Sequence, residues 1–133
     1  MTNAEATVRA MYDAFAAKDE PRLRELIDPD VEWNQCDGFP GGAKRRGIDD
    51  VLAAVLRGNS ATWKGFAARV EEYVASGSRV VVLGRYEGTH SVSGRPMVSV
   101  FAHAYEVENG RILRLEQIAD TWPMVAAARD LDL

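Results

Sequence analysis

Cysteine occurs once in these 133 residues, at Cys36, and histidine only twice, at His90 and His103. A lone cysteine forms no internal disulfide, and no Cys/His grouping has metal-ligand spacing, so neither a metal nor a cofactor is expected. Positive charge is also in short supply. Sixteen Lys and Arg against 20 Asp and Glu leave a net charge of −4, a balance that disfavours nucleic acid or an anionic membrane as partner. No apolar run approaches the ~18 residues that span a bilayer. The opening Met1-Thr2-Asn3-Ala4-Glu5 lacks the basic-then-apolar layout of a secretory signal, so the expectation is a soluble cytoplasmic protein. Repeats, linkers and low-complexity tracts are missing too. What remains is ordinary: 47% apolar and 27% charged residues, in a chain long enough to bury about two-thirds of its unfolded surface. One domain over residues 1–133 is expected.

Helical patterning comes first along the chain. Thr2 and Glu5 have capping-box spacing, and Val8, Met11, Tyr12 and Phe15 follow at i, i+3, i+4 and i+7. Asp19 is a natural cap for a second, short helix with Pro21 in its first turn and Leu23, Leu26 and Ile27 as its stripe. Asp28-Pro29 stops it. Val31 to Gln35 reads as a short strand with Val31, Trp33 and Gln35 on one face. A glycine-rich loop, Cys36 to Gly47, carries Lys44-Arg45-Arg46. Its glycine spacing begins like a phosphate-binding loop, but Ile48-Asp49 stand where Lys and Ser/Thr would be needed, so the basic residues read as a solvated turn. A third helix carries Ile48, Val51, Leu52, Val55 and Leu56, with Gly58 ending it.

From Trp63 the period changes to two. Turn signals at Ser76-Gly77-Ser78, Ser93-Gly94-Arg95-Pro96 and Asn109-Gly110 separate four strands, Trp63–Ala75, Arg79–Thr89, Met97–Val107 and Arg111–Thr121. Short connections make them antiparallel neighbours. Pro123 opens a closing helical segment, Met124–Arg129. Helices first and strands last make an α+β fold, with helices on one face of a curved sheet.

This element order, the opening Met11-Tyr12-Asp13-Ala14-Phe15-Ala16-Ala17-Lys18-Asp19 and the closing Asn109-Gly110-Arg111-Ile112 with Asp120 resemble the nuclear transport factor 2-like superfamily. Within it, the chain is similar to SnoaL-like polyketide cyclases and ketosteroid isomerase-related proteins. The resemblance covers roughly residues 4 to 130. It implies a cone, in which a mainly antiparallel sheet curls round the first helix and leaves an apolar pocket at one end, and commonly a dimer through the outer sheet face. Carried over residue by residue, it supplies few catalytic groups. The isomerase tyrosine aligns with Met11, beside Tyr12; its general-base aspartate aligns with Gln35, and its protonated aspartate with His103. Of the arginine and two aspartates of limonene epoxide hydrolase, the arginine matches Arg79, while the aspartates fall near Val81 and Gln117.

The residues themselves nominate a site. Met97, Ser99, Phe101, His103 and Tyr105 share one strand face, and Val98, Val100, Ala102 and Ala104 the other. A three-residue turn at Glu108-Asn109-Gly110 sets His103 on the same pocket wall as Gln117, whereas a two-residue Asn-Gly turn sets it beside Glu116. His103 is the candidate proton-transfer residue, because an imidazole titrates near neutrality; the alternative is a histidine satisfied inside the cone. Gln117 is the candidate for holding a substrate oxygen, and Asp120 a partner at the mouth or a turn cap. Met11, Tyr12, Phe15, Trp33, Gln35, Trp63 and Phe101 are the candidate ligand-binding walls, or else plain core. His90 reads as solvated, and Cys36 lacks an activating neighbour. Two functional readings stand. One is a cofactor-independent enzyme that cyclises, isomerises or hydrates a small apolar carbonyl compound by proton transfer; the other is a non-catalytic ligand-binding or dimerisation module. The apolar face of Val98, Val100, Ala102, Ala104 and Ile118 predicts a homodimer.

Overall fold

The computed structural model describes residues 1–132. The first helix, α1 (Asn3–Ala16), starts as its sequence demands: the Thr2 hydroxyl accepts from the Glu5 N–H at 3.0 Å. Val8 and Met11 of its apolar stripe are completely buried. Asp19 caps α2 (Glu20–Leu26) by accepting from the Arg22 N–H at 3.1 Å, with Pro21 in the first turn. Strand β1 (Ile27–Asn34) follows without a break, so Asp28-Pro29 lies within the strand segment and does not stand between helix and strand. A pairing irregularity between Ile27 and Glu32 accommodates it, as expected for a residue that cannot donate to a ladder.

The segment read as a loop holds a three-residue strand, β2 (Lys44–Arg46), antiparallel to β1 with Trp33 opposite Arg45. Its basic side chains are half-buried or exposed, and Arg45 and Arg46 pair with Asp50 and Glu32. The third helix runs past Gly58. It begins as α3 (Ile48–Val51), widens into a π-helical stretch over Leu52–Gly58, and resumes as α4 (Asn59–Thr62). The wider turn explains why a glycine fails to end it: Gly58 keeps helical dihedrals and the helix stops where Trp63 becomes extended.

Four long strands follow: β3 (Trp63–Ser76), β4 (Arg79–His90), β5 (Pro96–Glu108) and β6 (Arg111–Ala119). They are consecutive antiparallel neighbours, as read from the turns. The sheet has six strands in the order β2-β1-β6-β5-β4-β3, with β1 joined parallel to β6. It is therefore a mixed, open sheet. The closing helix α5 (Trp122–Ala128) begins two residues earlier than the alanines suggested, with Pro123 in its first turn and Met124 fully buried.

Register at the last hairpin decides the site. Asn109 and Gly110 both have positive φ, 51° and 74°, as a two-residue hairpin turn requires, and Glu108 faces Arg111. That register alone would set His103 against Glu116. A bulge intervenes: Val107 pairs with Ile112 but Glu106 pairs with Arg114, leaving Leu113 as the extra residue. From there on His103 faces Gln117. The turn is the two-residue one, yet the face is the one expected of a three-residue turn.

Candidate functional site

Against the inner face of the sheet lies a cavity of about 330 Å³. Its walls are apolar: Met11 and Phe15 from α1, Trp33 from β1, Phe39 from the loop, Val55 and Leu56 from the π-helical stretch, and Phe66 from β3. Tyr12, Gln35, Asn59, Ser60, Tyr86, His103, Tyr105 and Gln117 supply its uncharged polar groups. Lys18 and Arg69 are its charged lining residues, and none of the residues lining it is Asp or Glu.

Tyr12, Tyr86, His103, Tyr105 and Gln117 form one connected set. The Tyr12 hydroxyl lies 2.6 Å from His103 Nδ1 and 2.8 Å from the Tyr105 hydroxyl, which is itself 3.2 Å from Nδ1. On the other side of the ring, Nε2 hydrogen-bonds with the Tyr86 hydroxyl. Gln117 donates from Nε2 to Tyr86 at 2.7 Å, and its Oε1 accepts from the Cys36 backbone N–H at 3.2 Å. Packing holds the ring in place as well. Phe101 stacks on His103 with centroids 4.0 Å apart and planes 17° from parallel, and Tyr86 lies against Phe101 at 4.5 Å. Gly84 permits this, because a Cβ there would come within 2.7 Å of the Phe101 ring and 2.3 Å of the Arg69 carbonyl.

Burial governs the protonation of the set. His103 is 5% exposed, and the cost of charging it in that environment pushes its pKa down to about 3. It is a neutral imidazole at physiological pH. Burial raises Tyr12, Tyr86 and Tyr105 above the ordinary phenol range; for Tyr86 the hydrogen bond from Gln117 opposes the rise, as that from Tyr12 does for Tyr105. All three are therefore neutral hydroxyls.

The nominated residues divide into groups. His103 and Gln117 come together, facing each other across β5 and β6. Asp120 does not join them: it is exposed beyond the end of β6, outside the cavity, and its backbone carbonyl accepts from Ser99 Oγ at 2.6 Å. Met11, Tyr12, Phe15, Trp33 and Gln35 line the cavity. Gln35 is committed to bracing the loop, its Oε1 accepting from the Ala43 N–H and Arg45 Nε, both at 3.2 Å. Trp63 and Phe101 do not line it. Trp63 is 1% exposed and packs edge-on to His90 at 5.1 Å; Phe101 lies behind the imidazole. His90 is accordingly half-buried, with Nδ1 accepting from the Ser93 N–H at 3.2 Å. Arg79, on the outer side, is exposed and pairs with Glu106. The sequence reading missed the roles of Tyr86 and Tyr105. Alternation alone could have found them, since Val80, Val82 and Tyr86 share the inner face of β4, as His103 and Tyr105 do on β5.

The sequence matches the model of the SnoaL-like domain over residues 8–115. The chain belongs to the SnoaL-like family. Among solved structures, a nuclear transport factor 2-like protein of unknown function from Burkholderia pseudomallei is 34% identical, with TM-score 0.85 over 96% of this chain and 98% of that one. IdmH from Streptomyces antibioticus, a proposed polyketide cyclase, is 27% identical, with TM-score 0.76 over 93% of this chain and 96% of that one. TerC, co-crystallised with polyporic acid, is 26% identical, with TM-score 0.81 over 96% and 99%. No curated protein matches. Membership fits the helices and mixed, open sheet described above, with the hydroxyl-lined cavity on the inner face of the sheet that the resemblance led one to expect.

Proposed function

We propose that this SnoaL-like protein binds a small, largely apolar organic molecule and polarises an oxygen of it, of the carbonyl type, without a cofactor. The observation that carries this reading is the convergence of apolar walls on neutral hydroxyls backed by a neutral imidazole. Such groups donate hydrogen bonds in a water-poor site, where they stabilise charge developing on oxygen more strongly than in water. His103 acts through the tyrosines, because both ring nitrogens are occupied by their hydroxyls. The likeness to IdmH, a proposed polyketide cyclase, favours cyclisation as the reaction class. The absence of a carboxylate from the lining favours a second reading, a binding module without turnover.

The test is a titration with 1-indanone, a bicyclic ketone, followed through the fluorescence of Trp33 in the cavity wall. Saturable binding that weakens about tenfold in Tyr12→Phe is expected, the worth of one good hydrogen bond. No binding of the ketone overturns the reading; binding without acceleration of any ketone rearrangement selects the binding module.

A homodimer through the outer sheet face belongs to the same proposal. Val74, Val81, Leu83, Val100 and Ile118 are between 37% and 67% exposed there. Val81 pairs with Val74 and Ala104, and Leu83 and Ile118 both flank Ala102. The patch is therefore continuous across four strands, as an interface core requires. Light scattering is expected to give twice the chain mass, falling to one chain in Ile118→Arg; a single-chain mass for the unaltered protein overturns it.

A further inference from the structure

We infer that Gln117 sets the polarity of the cavity floor: held one way round by the Cys36 N–H, it fixes the tautomer of His103 and leaves a tyrosine hydroxyl hydrogen free for the ligand. The inference deepens the carbonyl-binding reading and rests on it only for the choice of ligand. It follows from counting hydrogens along the chain of contacts, starting from the one group whose role is fixed.

That group is the Cys36 backbone N–H, which can only donate. Gln117 must therefore turn Oε1 toward it, at 3.2 Å, because the reversed amide would set two donors against each other. The NH₂ group is then the one 2.7 Å from the Tyr86 oxygen, and it donates. Tyr86 is 4% exposed, and its own hydrogen finds a protein partner at His103 Nε2. Either tautomer leaves one hydroxyl hydrogen unmade, and it costs less at Tyr12, which is partly exposed on the cavity wall, than at Tyr86, so this orientation wins. Nε2 thus accepts, and a neutral imidazole with Nε2 accepting carries its single hydrogen on Nδ1.

On the far side of the ring the count continues. Nδ1–H donates to Tyr12, 2.6 Å away. Tyr12 and Tyr105 bring two hydroxyl hydrogens, and the 2.8 Å contact between their oxygens uses one. Neither hydrogen can go to Nδ1, which is itself a donor. One hydrogen is left over at the cavity surface. The reversed amide gives the opposite result: with Tyr86 donating to Gln117 Oε1, Nε2–H would donate to Tyr86, Nδ1 would accept from Tyr12, Tyr12 would accept from Tyr105, and only lone pairs would face the ligand. One amide, separated from the ligand-facing tyrosine by Tyr86 and His103 in the chain of contacts, therefore selects an acceptor ligand over a donor. Gln117 is a positioning and specificity-determining residue.

Long-range ¹H–¹⁵N NMR of the 133-residue chain reads the tautomer directly. Only two histidines contribute, His90 and His103, and His103→Gln assigns them. A single Nδ1–H tautomer of His103 is expected at pH 7; an Nε2–H tautomer, or an even mixture, overturns the inference. In Gln117→Met, which keeps the shape and removes the amide, the ring nitrogens should move toward a mixture of tautomers. An unchanged tautomer in that variant shows that Gln117 does not set it and overturns the proposal. If Gln117→Met does not fold, Tyr86→Phe breaks the same chain one step later and must give the same mixture. Ligand polarity is the second readout. 1-Indanone offers only an acceptor, and indole, a bicycle of similar size, only a donor. The unaltered protein should prefer 1-indanone by about tenfold, and Gln117→Met should lose that preference. A pure Nδ1–H tautomer with neither probe bound upholds the orientation and overturns the carbonyl-binding reading; preference for indole over 1-indanone overturns the orientation.

Discussion

On β5 the side chains of Ser99, Phe101, His103 and Tyr105 are no more than 5% exposed, while Val98 and Val100, each one residue away, are 54% exposed. The two faces of this strand have inverted their usual chemistry. The buried one carries the titratable and hydroxyl groups, and the open one is apolar and edged by ion pairs such as Arg85–Glu71 and Arg79–Glu106. Polar groups are tolerated inside only because each is matched to another: Ser99 to a carbonyl, His103 to two tyrosines, Gln117 to Tyr86 and Cys36. The difference between the faces shows where each kind of residue acts. The inner face owes its stability to packing and to its hydrogen-bond chain, so changes there should be costly. On the outer face, changes should act on association and leave the folded chain nearly as stable as before.

The largest contrast is expected between adjacent residues. Phe101→Ala removes the ring that stacks on both His103 and Tyr86, and should cost about 3–5 kcal/mol in urea unfolding. Val100→Ala, on the outer face, should change chain stability by about 0.5 kcal/mol or less. Equal losses at the two positions would break the comparison.

Acid should reach the inner face through His103. Its pKa is about 3 when folded and ~6.5 when unfolded. Between those values the unfolded chain binds the extra proton, so the stability contributed by the neutral ring is complete above pH 6.5 and is lost as pH falls toward 3. From pH 7 to pH 5 this amounts to about 2 kcal/mol. Urea unfolding at the two pH values measures it, and His103→Gln should remove that part of the slope. A slope that is the same in the variant would mean that the ring is not held neutral by burial.

A smaller loss is expected from a single oxygen atom. Tyr86→Phe keeps the ring against Phe101 but leaves His103 Nε2 and Gln117 Nε2 facing each other without the hydroxyl between them. The cost of such unmade bonds is about 1–2 kcal/mol. Tyr73→Phe, on a residue whose ring is half-buried and whose hydroxyl has no hydrogen bond among the described residues, is the control and should be near neutral.

The fold was legible because its signals are local. The capping pair Thr2 and Glu5, the stripe Val8-Met11-Tyr12-Phe15 and the three turns between the long strands need no knowledge of distant contacts. The partners of His103 were not legible in the same way. Tyr12 lies 91 residues from it in the chain and Tyr86 lies 17 residues away, on the next strand. The bulge at Leu113 moves Gln117 into place without any glycine or proline to announce it. The short strand Lys44–Arg46 and the continuation of the helix beyond Gly58 were hidden for a related reason: pairing with β1 and a widened helical turn override residues whose own preferences point to loop and to helix end. Asp120 looked like a site residue because of its position in a resembled family, but the strand ends one residue before it and leaves it exposed outside the cavity.

The smallest effect should come from the ion pairs that edge the outer face. Arg85 Nε lies 2.8 Å from Glu71 Oε1, with both side chains more than half exposed. At that exposure water screens the attraction, and ordering two long side chains offsets much of what is left, so the pair should contribute about 0–1 kcal/mol. A double-mutant cycle on Arg85→Ala and Glu71→Ala isolates the coupling from the loss of each side chain's own packing. Repeating the cycle in 0.5 M salt should bring it toward zero, because exposed charges are screened within a few ångströms at that strength. The same cycle also probes the proposed dimer. If the pair is enclosed when a second copy covers the face, screening would be incomplete and the coupling would survive salt at concentrations where the dimer forms, while vanishing in Ile118→Arg. A coupling that salt abolishes in both proteins would place Arg85 and Glu71 in open solvent and limit the covered patch to Val100, Ile118 and their apolar neighbours.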